Sequence, residues 1–270
     1  YSVTYVAVDA RGVVDPDDVR RALRPDTVLV TIMAANNEIG TIQPLAEIGR
    51  VTRERGIPFH SDATQMVGAL PLRVDEAGVD LLSISGHKRY GPKGVGALYI
   101  RRGTPCRPIQ HGGEHERGRR GGTENVPGIV GLGAALELAG RLMEDEQPRV
   151  SALRDRLIEG ALALPRTRLN GDPERRLPNN VNLSVEGTDG QSLVIGLDLR
   201  GIAASSGSAC SSGSVEPSHV LLALGLTPEL AAAATRLTLG RQTTEAEVDY
   251  AVATLRDVVS SLRKGSPSRV

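Results

Sequence analysis

A chain of 270 residues and 28.5 kDa, 40% apolar and 24% charged, is long enough to bury the core of one large or two modest domains, which excludes a peptide or a disordered tail. Its 32 basic residues balance 32 acidic ones, so no global field draws in nucleic acid or an anionic membrane. Cys106 and Cys210 are too few for a disulfide framework or a four-thiolate zinc site, and no apolar run reads as a membrane span or a secretion signal, so the composition predicts a soluble, reduced, cytoplasmic protein without a metal.

Residues 3–8 alternate apolar and polar side chains and predict a strand that begins in mid-domain, as if the chain were part of a longer one. Next, Asp15-Pro16-Asp17-Asp18 opens a helix, with a capping acid, proline in the first turn and negative charge against the dipole. A second helix runs from Pro44 to Arg55 and closes at Gly56. Residues 28–33, 58–62, 81–85 and 96–100 are near-continuous apolar runs, the pattern of strands covered on both faces. Short strands alternating with helices give an α/β fold with a large, mostly parallel sheet. Residues 125–164 are long-period and helical and are read as a connector. Strands over 179–185, 201–206 and 234–240 and a helix over 245–262 then form a smaller α+β domain. The predicted organisation is therefore 1–124, 125–164 and 165–270.

In open α/β sheets ligands bind beyond the carboxyl ends of the strands. Three polar clusters follow predicted strands: Asn36-Asn37-Glu38, Ser61-Asp62-Ala63-Thr64-Gln65 and Ser85-Gly86-His87-Lys88. Pyridoxal phosphate makes four demands that these clusters meet. Lys88 forms a Schiff base, Asp62 holds the pyridinium proton, and Ser85, His87 and the amides around Gly86 suit the phosphate. Gln65 or Asn37 hydrogen-bonds the phenolic oxygen. Taken singly, each of these residues is more ordinarily a surface or turn residue; it is the set that carries the reading. Residues 205–214 read SSGSACSSGS, which by composition alone is a linker. A thiol set among small polar residues is exposed, and Cys210 is therefore expected to be mobile and reactive.

At Ser85–Lys88, Asp62–Gln65, Asn36 to Gly40 and the segment from Ser205 through Cys210 to Pro217, the sequence resembles the cysteine desulfurases that supply sulfur for iron–sulfur clusters and thiolated nucleotides. The resemblance runs from Val3 to about Leu262. It implies a fold-type-I pyridoxal-phosphate-dependent transferase that turns L-cysteine into L-alanine and a persulfide on Cys210. That sulfur would pass to an acceptor protein such as an iron–sulfur scaffold or a thiolation relay. By the same resemblance Lys88 is the Schiff-base lysine, Asp62 holds the ring nitrogen, Asn37 and Gln65 lie at the ring, and Ser85 and His87 take the phosphate. Thr123 matches the residue that reaches the phosphate of the partner subunit in a homodimer, and Arg236 the clamp on the substrate carboxylate, with Asn37 beside it.

Two departures go with the resemblance. The family's chains carry an N-terminal Ala-Thr-Glu phosphate loop and a ring-stacking histidine that do not occur here, and Glu114 stands where the family more often has Gly. Competing readings are an aminotransferase, which needs no loop thiol, a selenocysteine lyase, and an inactive or split fragment. Nucleic-acid binding through Arg117, Arg119 and Arg120 is disfavoured because the basic contacts are too few.

Overall fold

The computed structural model describes residues 1–206 and 216–265. They divide into two compact units, one built from Pro16–Ala35 and Gln43–Glu144, the other from Tyr1–Asp15, Asn36–Ile42 and Asp145–Val270.

The first unit opens with α1 (Pro16–Ala22), whose first turn carries Asp17 and Asp18 and whose last turn carries Arg20 and Arg21, each set complementing the helix dipole. After β1 (Val30–Thr31) comes α2 (Leu45–Glu54), which buries Leu45, Ile48, Val51 and Thr52 along one stripe and leaves Arg50 and Arg53 outside. Gly49 is part of that stripe for a steric reason: a Cβ there would lie 2.4 Å from the carbonyl of Ala77 at the end of α3 (Val74–Ala77). The remaining strands are β2 (Phe59–Asp62), β3 (Leu81–Ser85) and β4 (Gly96–Ile100). They pair in the order β1-β2-β3-β4. The first two pairings are parallel, bridged by α2 and α3, and β4 runs antiparallel to β3.

Three expectations change here. The run 3–8 forms no strand: Val3 and Tyr5 are exposed, and Val8 makes only an isolated bridge to Val14. An alternating pattern becomes a strand only when a partner satisfies its backbone, and Val14 supplies one bridge. The run 28–33 is paired on one side over Val30–Thr31, although Ile32 N and Ala34 N continue the ladder to His60 O and Asp62 O. The outer strands are not covered on both faces: Val28, Leu29 and Leu98 are exposed, as edge positions are.

A two-stranded hairpin follows, β5 (Glu114–His115) with β6 (Arg120–Gly121), and then the 37-residue helix α4 (Val126–Leu162), with Pro148 inside it. By length and composition α4 is a helix that could cross a membrane. Gly128, Gly131, Gly133 and Glu137 interrupt its apolar residues, so the sequence shows no continuous apolar run there. Part of its surface is a packing face within the first unit, where Leu132 and Ala139 are buried and Gly131 lies against Pro92.

In the second unit β7 (Thr167–Leu169), β8 (Asn180–Val185), β9 (Ser205–Ser206) and β10 (Ala234–Thr238) form an antiparallel sheet ordered β7-β8-β10-β9. All six residues of β8 are buried. Its Val181, Leu183 and Val185 meet Leu153 and Leu157 of α4, Leu193 and Leu197 of α5 (Gly190–Asp198), and Leu255 and Val258 of the closing helix α8 (Glu245–Gly265). Between these lie α6 (His219–Ala223) and α7 (Pro228–Ala232). The helices α5, α6 and α7 are short and start at side-chain caps, Asp189, Ser218 and Thr227 respectively.

Candidate active site

In the first unit two of the three polar clusters sit where a parallel sheet presents them. Asp62 ends β2 and Ser85 ends β3, on adjacent strands. Asp62 is partly buried, and its Oδ1 accepts the Thr64 amide at 2.8 Å, which fixes the plane of the carboxylate at the start of the 63–70 turn that carries Gln65. Its neighbour Ser61 points the other way, fully buried, with a hydroxyl that has no hydrogen-bond partner. Period-two alternation thus separates the reading of Asp62 from that of Ser61.

Beyond β3 the chain makes a single 3₁₀ turn, Gly86–Arg89, which ends at Tyr90 with φ 60°. Lys88 is exposed on that turn. His87 is exposed beside it, and its Nδ1 lies 2.8 Å from Ser85 Oγ. The amide of Gly86, expected from sequence to suit a phosphate, instead donates to Val95 O at 3.0 Å. A Cβ at Gly86 would crowd Pro92 O at 3.1 Å and Val95 Cγ1 at 3.1 Å, so close packing favours glycine there. Arg89 donates to the backbone carbonyls of Gln65 and Val67, a contact that nothing in the sequence pattern announced.

A polar row crosses the same sheet: Thr31 Oγ1 lies 2.7 Å from His60 Nδ1, and His60 Nε2 lies 3.3 Å from Ser83 Oγ. Burial holds the His60 imidazole below its ordinary pKa, against the opposing pull of the Asp62 charge. Sequence reasoning passed over this row because it looks for clusters after strands, not within them. Thr123 is exposed just after the hairpin. Arg120 closes that hairpin on Gly122 O at 2.7 Å, and His115 Nδ1 meets Glu124 Oε2 at 2.6 Å. Glu114 is exposed at the hairpin's first strand.

The third cluster belongs to the second unit, not to the sheet of the first. Asn36 Oδ1 accepts the amides of Glu38 and Ile39 at 2.8 and 3.0 Å and bends the chain into a turn. The Glu38 carbonyl accepts Asn180 Nδ2 at 3.3 Å and Asn182 Nδ2 at 3.1 Å, and Asn182 Oδ1 accepts Asn170 Nδ2 at 2.8 Å. The polar side of β8 is therefore as buried as its apolar side. Arg176 adds a bond to Ile39 O at 3.1 Å, and burial lowers its pKa to about 10. On this frame Arg236 of β10 donates to Asn37 O at 2.7 Å. The carboxyl of Glu38 is buried and hydrogen-bonded by Ser218 Oγ at 2.5 Å. Burial raises its pKa, opposed by Ser218, His219 and Arg236. Arg236 is partly buried, and one of its guanidinium nitrogens is held by Asn37 O.

The side chains fit the cofactor that the sequence reading named. A primary amine is exposed at a strand end, a carboxylate of fixed orientation stands on the next strand, and a hydroxyl–imidazole pair precedes the amine. Among the described residues no group of three or more His, Cys, Asp or Glu side chains is arranged to hold a metal. Cys210 lies outside the described residues.

The family model for class-V aminotransferases matches residues 1–251. The chain is 53% identical over 99% of its length to a protein named cysteine desulfurase IscS from Methanosarcina thermophila. Among solved structures it resembles one titled NifS-like protein, at 39% identity and TM-score 0.89 over 97% of the chain. Another, titled SspA in complex with cysteine, matches at 38% identity and TM-score 0.74 over 88% of the chain. The chain covers 66%, 69% and 66% of the lengths of these three proteins respectively.

Proposed function

The chain belongs to the class-V aminotransferase family, and from that premise we propose that it carries the lysine and the thiol of a pyridoxal-phosphate-dependent cysteine desulfurase. The observation that carries this reading is the strand-end set of Asp62, Ser85, His87 and Lys88 on β2 and β3.

When bound, pyridoxal phosphate supplies an aldehyde for imine exchange and a pyridinium ring that accepts the electrons released at Cα. Asp62 keeps a proton on the ring nitrogen. Ser85 and His87 hold the phosphate, and Gln65 and Asn37 orient the ring. Lys88, as a free amine, would withdraw the Cα proton of L-cysteine. Arg236 holds the substrate carboxylate as a planar pair of donors. The Cys210 thiolate attacks the sulfur of the substrate, whose carbon–sulfur bond breaks with its electron pair left on carbon, and a proton returned there completes alanine. L-Cysteine and one protein thiol thus become L-alanine and one protein persulfide, with no outside oxidant. The product persulfide would pass to an acceptor protein in a reducing cytoplasm, where a carrier thiol is not diverted into disulfides.

Purified protein given pyridoxal phosphate and L-cysteine is expected to release alanine and, with a reductant present, an equal amount of sulfide. Consumption of selenocysteine but not cysteine would replace this reading with a selenocysteine lyase. Amino transfer to a keto acid would replace it with an aminotransferase.

We also propose a homodimer in which Thr123 completes the phosphate site of the second subunit. Mixing Lys88→Ala chains with Thr123→Ala chains should then restore roughly a quarter of wild-type alanine release, since half the dimers are mixed and each holds one intact site. Exchange of subunits shown by mass, with no recovered activity, would remove Thr123 from that role.

A further inference from the structure

We propose that Arg89 is a positioning residue that sets the spacing between Lys88 and the Asp62–Gln65 turn, a role that rests on the cofactor assignment above. The 3₁₀ turn that bears Lys88 is four residues long, and turns of this kind hold their place poorly without outside contacts. Arg89 is the last residue of that turn. Its guanidinium reaches the carbonyls of Gln65 and Val67 in the turn that follows β2. That turn is internally tied, with Met66 N and Val67 N both bonded to Ala63 O and Asp62 Oδ1 bonded to Thr64 N. One side chain therefore joins the amine-bearing turn to the turn that holds the carboxylate and Gln65.

Two further observations mark this as a built feature. The stem of Arg89 runs past Gly68, where φ is +74° and an added Cβ would lie 3.3 Å from Arg89 Cδ and 3.0 Å from Ala139 Cβ. The 63–70 turn thus leaves room for the arginine by having no side chain there. The bonded acceptors of the guanidinium are neutral carbonyls rather than a carboxylate, and burial pulls its pKa below the usual value. A cation taken out of water without an opposing charge stabilises a fold weakly, and an apolar side chain of similar volume is often tolerated in its place. Geometry is what this arrangement provides. A bound ring that is held at one end by Asp62 and bonded at the other by Lys88 requires that distance to be fixed before it arrives.

The test is a titration of the purified protein with pyridoxal phosphate, followed by its visible absorbance, for wild type, Arg89→Leu and Arg89→Lys. Arg89→Leu is expected to bind the cofactor about tenfold more weakly, the scale of losing charge-assisted hydrogen bonds, and to shift its absorption band. The melting temperature of the cofactor-free protein should stay where it was. Arg89→Lys, which retains one donor arm, should recover affinity to within about threefold of wild type. If Arg89→Leu does not fold, the lysine variant decides, with affinity about threefold below wild type and a shifted band supporting the role. Unchanged affinity and band in every folded variant would overturn it. So would a loss of affinity that only tracks a fall in melting temperature and is not rescued by lysine. A wild-type protein that binds no pyridoxal phosphate would instead sink the cofactor assignment itself.

Discussion

Replacing Lys88 with alanine is expected to lower alanine release from L-cysteine by at least roughly three orders of magnitude, because among the described residues no other lysine follows a strand end to form the imine or take the Cα proton in its place. The strand-end geometry makes the expectation specific. Lys88 follows the Ser85–His87 pair directly, and its turn is tied by Arg89 to the turn beyond Asp62. The other lysines have no such setting: Lys93 is exposed beside Gly94, and Lys264 lies near the end of α8. Borohydride reduction of the protein with bound cofactor, followed by peptide mapping, should place the pyridoxyl mass on Lys88. A label on Lys93 or Lys264, or a Lys88→Ala chain that still turns over, would end the assignment.

The second large effect is expected at Cys210. Cys210→Ser should keep the reducible cofactor linkage on Lys88 and still bind L-cysteine, yet lose persulfide formation and at least roughly a hundredfold in alanine release. A thiol delivered to a substrate that is already fixed reacts as if intramolecularly, and serine offers no comparable nucleophile toward sulfur. Cys106→Ser should leave both activities close to wild type. Cys106 is exposed in the irregular chain after β4, so exposure alone does not mark a sulfur carrier. What separates the two thiols is sequence setting: Cys106 lies between Pro105 and Arg107, whereas Cys210 is surrounded by serine and glycine. Mass spectrometry of the persulfide after addition of L-cysteine decides the matter. Sulfur found on Cys106, or a Cys210→Ser chain that releases alanine at the wild-type rate, would refute the mechanism.

How much of this was legible in the sequence differs from element to element. The strands β3 and β4 stand where their apolar runs predicted them, because Gly86 and Gly96 punctuate the chain sharply. The strand-end positions of Asp62 and Ser85 were legible for the same reason, since each closes its apolar run. The run 3–8 misled because alternation is a property of the segment, whereas pairing is a property of its neighbour. The helices α5, α6 and α7, five to nine residues long, gave too few turns for a period to register. The bonds of Arg89 to Gln65 and Val67 left no trace in the pattern, for they depend on how two turns lie beside each other. The same holds for residues 36–42, whose partners lie more than a hundred positions away.

That last separation bears on how the protein is made. The contacts of Ile39 O with Arg176, and of Glu38 O with Asn180 and Asn182, join residues 137 to 144 positions apart. At about 5–20 residues per second, a ribosome needs roughly 7–30 s to reach those partners after the turn at Asn36 has emerged. During that interval Ile39, buried in the finished protein in a cluster with Leu221, Leu224 and Ala234, lacks those partners. The second unit thus closes late in synthesis, because residues 36–42 wait for partners made more than a hundred positions later. Until then the turn at 36–42 keeps Ile39 without most of its apolar cover.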